Sequence, residues 1–327
     1  MLWKLLNFKL IPNGRARWII YPALLAALWF WQGPQLLHAG PHNGFDLSGA
    51  LVPVTQIEAG GPMRDGIPAI DHPRFIAASQ ADFLNDNDRV LGINLQGQQK
   101  TYPVRILNYH EIVNDRVGDT AVVVSYCPLC GTGMAFLAGR DGEDFDFGVS
   151  GLLYNSDVLL YDRQTESLWS QLRKQAITGP LKGQRLQQIP LEHTSWSDWR
   201  ARYPQTQVLS TNTGYQRDYT RSPYAGYADS EHLMFDVSHL DRRFHPKEQV
   251  LGVELNGEAR AYPFSVLSRG PAQIQDQLGG ETIRIVFDAA HRSGRAYAGD
   301  RLIPSTTGFW FAWAAFHPDT EVYQSGQ

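Results

Sequence analysis

The chain has 327 residues, 43% of them hydrophobic and 19% charged, enough apolar mass for a substantial core and too much for a disordered or low-complexity chain. With 29 Lys+Arg against 33 Asp+Glu the formal charge is −4, which offers no electrostatic footprint for nucleic acid. Two cysteines exclude a disulfide scaffold and a four-thiolate metal cluster, so any chemistry they carry they carry as one pair.

The first 17 residues hold Lys4, Lys9, Arg15 and Arg17 and no acid. Residues 18–31 follow as WIIYPALLAALWFW, an uncharged apolar run that reaches about 21 Å as a helix, short of the ~30 Å hydrocarbon core of a bilayer. Leu37-His38-Ala39 puts a large side chain where a cleavage site needs a small one. Basic residues before the run and Trp29, Phe30 and Trp31 at its far end favour an uncleaved signal anchor. The expectation is a protein held in the cytoplasmic (inner) membrane by this single helix, with its body exported to the periplasmic side.

The body contains an internal repeat. VLGINLQGQQKTYPVRIL, starting at Val90, returns as VLGVELNGEARAYPFSVL, starting at Val250, with eight of eighteen positions identical. WSDWRARYPQTQV from Trp196 returns in the same order as WFAWAAFHPDTEV from Trp310, so the first copy holds extra residues between its two blocks. In each copy the pattern predicts a hairpin turning at Gln96-Gly97 or Asn256-Gly257. A Tyr-Pro step opening a short helix follows, then branched strands at residues 121–126 and 283–287. A short helix capped by Ser195 and ended by Tyr203-Pro204 completes the unit. The expected fold class is α+β and strand-rich, two tandem pseudo-repeats with an insertion in the first, preceded by the N-terminal membrane anchor. The expected boundaries are an anchor at 1–40, a lead-in segment at 41–85, the first pseudo-repeat with the Cys/His site and insertion at 86–215, a connecting segment at 216–247, and a second, degenerate pseudo-repeat at 248–327.

Sliding the copies past the hairpin at an offset of 162 sets Cys127 on Ala289, Cys130 on Arg292 and His110 on Ala272. The second copy does without all three, which shifts them from a packing role to a local function. Cys127-Pro128-Leu129-Cys130-Gly131-Thr132-Gly133 follows a strand, and its glycines disfavour the helix N-terminus of a thioredoxin-type pair; it is closer to a metal-binding knuckle. Three readings stand. One is a thiol/disulfide redox centre of Cys127 and Cys130, with His110 as the base and a thiol oxidoreductase activity implied. The second is a copper or zinc site of Cys127, Cys130 and His110, with Glu111 as an oxygen ligand or as the partner fixing the imidazole. The third is a static pair in a binding module without chemistry. The first two would imply a redox or metal-delivery partner in the cell envelope.

His110-Glu111-Ile112-Val113-Asn114-Asp115, CPLCGTG, FGVSGLLYNSD from Phe147 and YDRQTESLWSQ from Tyr161 together resemble the bacterial and archaeal family called domain of unknown function 3179. The resemblance covers most of residues 50–325 and implies an exported or membrane-anchored protein with no assigned reaction. The insertion adds polar groups to a strand-like stretch. Read functionally, it is a wall facing the cysteines, with Arg163 holding an anionic substrate, Asp157 or Glu166 exchanging protons, and Ser150 and Trp169 lining the site; read structurally, it is a solvated hairpin turning at Asp162-Arg163. Asp-rich stretches at 82–88 and 141–146 lack calcium-loop spacing. Gly131-Thr132-Gly133 is not a phosphate loop, and Ser150 lacks the context of a nucleophile elbow. Of the remaining histidines, His291 lies nearest the counterpart of Cys130. Arg217-Asp218-Tyr219, in a Tyr-rich segment ending at Tyr227, would be placed to close over a site.

Overall fold

A computed structural model describes residues 41–140 and 142–324, which form one compact unit. The expected anchor at residues 1–40 lies outside the described residues; among those described, no helix is long and apolar enough to cross a membrane.

The hairpins form where the turn chemistry predicts. Arg89–Leu95 pairs with Gln98–Pro103 and Gln249–Leu255 with Glu258–Pro263. Gln96, Gly97, Asn256 and Gly257 all take positive φ, the backbone of a two-residue hairpin turn. Each hairpin is flanked by a strand that leads into a Trp-x-x-Trp helix. Glu192–Ser195 precedes the helix Trp196–Arg202 and Thr306–Phe309 precedes Trp310–Phe316. Trp199 and Trp313 lie flat against the hairpins, and a Cβ at Gly92 or Gly252 would run into their rings. Trp199 Nε1 donates to Thr206 Oγ1 and Trp313 Nε1 to Thr320 Oγ1, both at 3.0 Å.

Among the described residues, five sheets of four or five strands form a five-bladed β-propeller arrangement, with Gly139–Arg140 and Glu143–Asp144 pairing as a separate two-stranded sheet. Blade 1 is built on Arg89–Leu95 and Gln98–Pro103, blade 2 on Ile112–Val117, Thr120–Cys127 and Thr132–Leu137, and blade 3 on Phe147–Tyr154, Asp157–Asp162 and Leu168–Ser170. Blade 4 is built on Gln249–Leu255 and Glu258–Pro263, and blade 5 on Gln273–Leu278, Glu281–Asp288 and Ser293–Ala298. This corrects the α+β expectation: helix accounts for 12% of the structure against 41% strand, and each helix is a single short connector rather than a layer. The Tyr-Pro step does open a helix, but only over Val104–Leu107 and Phe264–Leu267.

The description as two repeats plus an insertion is also corrected, because the insertion is a blade in its own right. Its two long strands, Phe147–Tyr154 and Asp157–Asp162, are buried at every position, which excludes a solvated hairpin. Its edge is completed by Ile57–Ala59, and Phe75–Ala77 likewise extends blade 1 through Gln207–Leu209. Residues of the lead-in segment therefore complete blades 1 and 3.

The structure also shifts the alignment of the two copies by one residue. Tyr126 N donates to Glu111 O and Phe287 N to Ala272 O, and Tyr102 OH meets Asp115 Oδ2 as Tyr262 OH meets Asp276 Oδ2, both at 2.7 Å. Cys127 pairs across to Thr132 and Asp288 to Ser293. The structural counterparts are therefore Ala272 for Glu111, Asp288 for Cys127 and His291 for Cys130, not the residues one position further on.

Candidate functional site

Thr120–Cys127 and Thr132–Leu137 are joined by a tight turn in which Gly131 has φ +62°. The turn is not a helix N-terminus. It is pinned from outside, since Phe309 N donates to Cys130 O at 2.8 Å and the Phe309 ring would crowd a Cβ at Gly131. Gln171 locks the two strands together, accepting from Thr132 Oγ1 at 2.7 Å and donating to Ser125 Oγ at 3.0 Å.

Both cysteines are free and buried, 1% and 0% exposed, and they approach each other to 3.5 Å. Blade 3 completes the site. Its hairpin turns at Asn155 and Ser156, two non-glycine residues with positive φ, a conformation that persists only when neighbours hold it. Asn155 Oδ1 accepts from Ser238 N at 2.7 Å, fixing the turn to the connecting segment. The result is that Ser156 O faces Cys130 Sγ at 3.3 Å and Cys127 Sγ at 3.8 Å. The next residue, Asp157, brings its carboxylate into the cluster: one ligand atom from each of Cys127, Cys130 and Asp157 lies within 4.8 Å of the others. Asp157 Oδ2 accepts from Leu172 N at 3.0 Å, and the Cys130 and Cys127 thiols hydrogen-bond the same carboxylate.

The electrostatics of this cluster are those of acids without a counter-charge. Burial pushes Asp157 up to about 7 and Glu111 up to about 8, the Asp157 charge adding to the latter. Burial likewise raises Cys127, with Asp157 and Glu111 contributing, and raises Cys130 well above an ordinary thiol. A nucleophilic thiol needs the opposite field. Tyr224 and Tyr227, from the connecting segment, pack on the same core as the cysteines. Burial and then the neighbouring Glu111 and Cys127 raise the Tyr224 phenol, and burial and Cys130 raise Tyr227.

The other expected residues are placed as follows. His110 is buried with Nδ1 at 2.8 Å from Pro68 O and Nε2 at 2.6 Å from Tyr219 OH. The carbonyl requires the proton on Nδ1, so Nε2 accepts from the tyrosine; burial lowers the imidazole pKa. His110 thus ties the connecting segment to blade 2 and is not in the Cys127–Cys130–Asp157 cluster. Glu111 sits at φ +58° beside that cluster. Trp169 donates to Asp162 Oδ2 at 2.8 Å and its ring shares the core of the cysteines. Ser150 is fully buried and accepts from Leu152 N at 3.0 Å within the bulge of its strand. Arg163 pairs with Asp71 at 2.6 Å and Glu166 with Arg64 at 2.8 Å, on the exposed side of blade 3. Of the polar residues of the insertion, the structure brings Asp157 and the Ser156 carbonyl to the sulfurs. Tyr224 and Tyr227 carried no spacing signal beyond the density of tyrosines in their segment.

Residues 64–301 match the family described as Protein of unknown function (DUF3179), and the chain belongs to it. Among curated proteins and among solved structures nothing matches the chain.

Proposed function

We propose that the protein is a metal-binding protein whose centre is Cys127, Cys130 and Asp157, with Glu111 as the adjoining carboxylate. The observation that carries this reading is the convergence of two free, buried thiols with a fully buried carboxylate that no basic side chain faces. Buried acids without a base are costly unless they are protonated or face a cation, and a bound cation would turn all of them to the charged form. Two thiolates and one carboxylate leave a tetrahedral position open; the hard oxygen donor favours Zn²⁺ over Cu⁺, which prefers sulfur and nitrogen. The N-terminal basic and apolar segment supports placing this centre on the exported side of the cytoplasmic membrane, where a metal-delivery partner would meet it.

The test is elemental analysis of protein purified without chelator from its own host. The expected outcome is about one zinc per chain, lost in Cys127→Ser and in Asp157→Asn. Metal-free protein that also fails to take up zinc on reconstitution overturns the reading. A second reading, a dithiol/disulfide couple, is favoured by the 3.5 Å approach of the cysteines; it predicts metal-free protein whose two thiols disappear reversibly on oxidation.

A further inference from the structure

The buried thiols are covered by a stretch of chain that belongs to no sheet. Residues 223–237, within the segment that connects the two copies, hold one short 3₁₀ turn, Tyr227–Asp229, and among the described residues no strand pairs with them. Tyr224 and Tyr227 pack on the core that contains Cys127 and Cys130. Further along, Leu233, Phe235 and Val237 turn toward the same core while Met234 and Asp236 face water. This is the alternation of a strand without the ladder that would hold one. We propose that residues 223–237 are a lid over the cysteine centre, a strap that opens locally to let a divalent cation in and out and that Lys247 latches shut.

The strap is fixed at its ends and held lightly between them. At one end Tyr109 OH lies 2.9 Å from Asp218 O and 3.0 Å from Arg221 O, and Tyr219 OH donates to His110 Nε2 at 2.6 Å. At the other end Ser238 N donates to Asn155 Oδ1 at 2.7 Å. Between these anchors, among the described residues, the hydrogen bonds that reach the strap from beyond residues 218–238 come from Lys247, whose ammonium donates to Ser230 O and His232 O. The same ammonium lies 3.9 Å from the centre of the Tyr227 ring. Lys247 is 5% exposed, so two carbonyls and a ring face hold its charge. The latch is rooted in blade 4, because Glu248 O accepts from Trp310 N at 2.8 Å and Pro246 O from Phe311 N at 2.9 Å.

The other walls around the sulfurs are laddered. The cysteine strands pair with each other, the blade 3 hairpin pairs along its length, and Phe309 pairs with Gln249. Parting any of these breaks several backbone hydrogen bonds together, whereas lifting the strap releases the Lys247 bonds and uncovers a few apolar side chains. Local opening follows the least stable element. With Cys127 and Cys130 only 1% and 0% exposed, nothing reaches the thiols without such an opening. The inference rests on the metal reading only in making the passenger a cation.

The experiment follows alkylation of the two thiols by iodoacetamide in the metal-free full chain, at rising urea below the unfolding transition. The expected rate is independent of urea at low concentration, the mark of an opening that exposes little surface. It should rise about tenfold or more in Lys247→Met, which keeps an apolar stem beside Tyr227 and removes the charge and its hydrogen bonds. A rate that climbs from zero urea with the full slope of global unfolding overturns the proposal, and so does a Lys247→Met rate equal to that of the unaltered chain. Should Lys247→Met fail to fold, Tyr219→Phe frees the opposite end of the strap while keeping the ring; it must raise the urea-independent rate or the proposal falls. Thiol access is read without metal, so the two ideas fail separately. A chain that opens in this way but takes up no zinc sinks the metal reading alone, and a zinc-binding chain without the local opening sinks the lid alone.

Discussion

Residues 127–132 and 288–293 are the same turn in the same molecule, and their surroundings differ. The first turn is fully buried at both cysteines and faces blade 3, whose hairpin brings Ser156 O and Asp157 to the sulfurs. The second leaves Asp288 and His291 side chains about a third exposed, 32% and 33%, and faces the helix that follows blade 1. Since the underlying strands are equivalent, the difference in chemistry is set by what packs over the turn. A knuckle becomes a buried soft-ligand cluster only where an additional blade closes it from water.

The largest effect expected tests the equivalence of the scaffolds. Trp199→Ala and Trp313→Ala each remove a buried indole packed on a glycine and one hydrogen bond to a threonine hydroxyl. Both should cost about 3–5 kcal/mol of stability, measured by denaturant unfolding; a cost in one copy only would break the comparison. Next in size, Asp157→Asn and Cys127→Ser should reduce zinc affinity by at least about tenfold, as read by competition with cobalt.

The pH dependence follows from the acids of the first turn. Asp157 and Glu111 titrate near 7 and 8 in the folded protein, above their ordinary range, so between about pH 4 and pH 8 the folded state binds more protons than the unfolded one. The metal-free protein should therefore lose stability as pH rises through this window, and added zinc should stabilise it most at the alkaline end. Thermal melts of metal-free Asp157→Asn should show a shallower decline; an equal slope would mean that the carboxylate titrates normally. Smaller still, Tyr102→Phe and Tyr262→Phe each remove one hydrogen bond to a carboxylate and should cost about 1–3 kcal/mol apiece. Arg163→Ala, which breaks a half-exposed pair with Asp71, should cost less than about 1 kcal/mol.

Much of the local structure was legible because it is dictated locally. Gln96-Gly97 and Asn256-Gly257 specify their hairpins, and Ser195 caps its helix, accepting from Asp198 N at 3.3 Å. The propeller was not legible, since strand content read one segment at a time does not say how sheets are shared, and the edge strands Ile57–Ala59 and Phe75–Ala77 pair with partners far along the chain. The one-residue error in aligning the copies has a specific cause. Gly118 is followed by Asp119 in the first copy, but Gly279 and Gly280 stand together in the second, and either glycine satisfies a pattern match. Only Gly279, at φ +57° beside Gly118 at +60°, is the structural equivalent. That slip concealed Asp288 and His291 behind Ala289 and Arg292. Cys127, Cys130 and Asp157 were visible from residue type and position, whereas the Pro68 and Tyr219 partners of His110 come from loops that no periodicity foretells.

The hydrogen bond from Phe309 to Cys130 spans 179 residues of sequence, and it bears on the order of assembly. The cysteine turn is synthesised early, but its pin belongs to blade 4, and contacts of such long range close late in folding. A nascent or truncated chain ending before Phe309 would present the two thiols on an unpinned turn, open to oxidation or to adventitious ions. Protection of the two thiols is then a property of the completed chain alone.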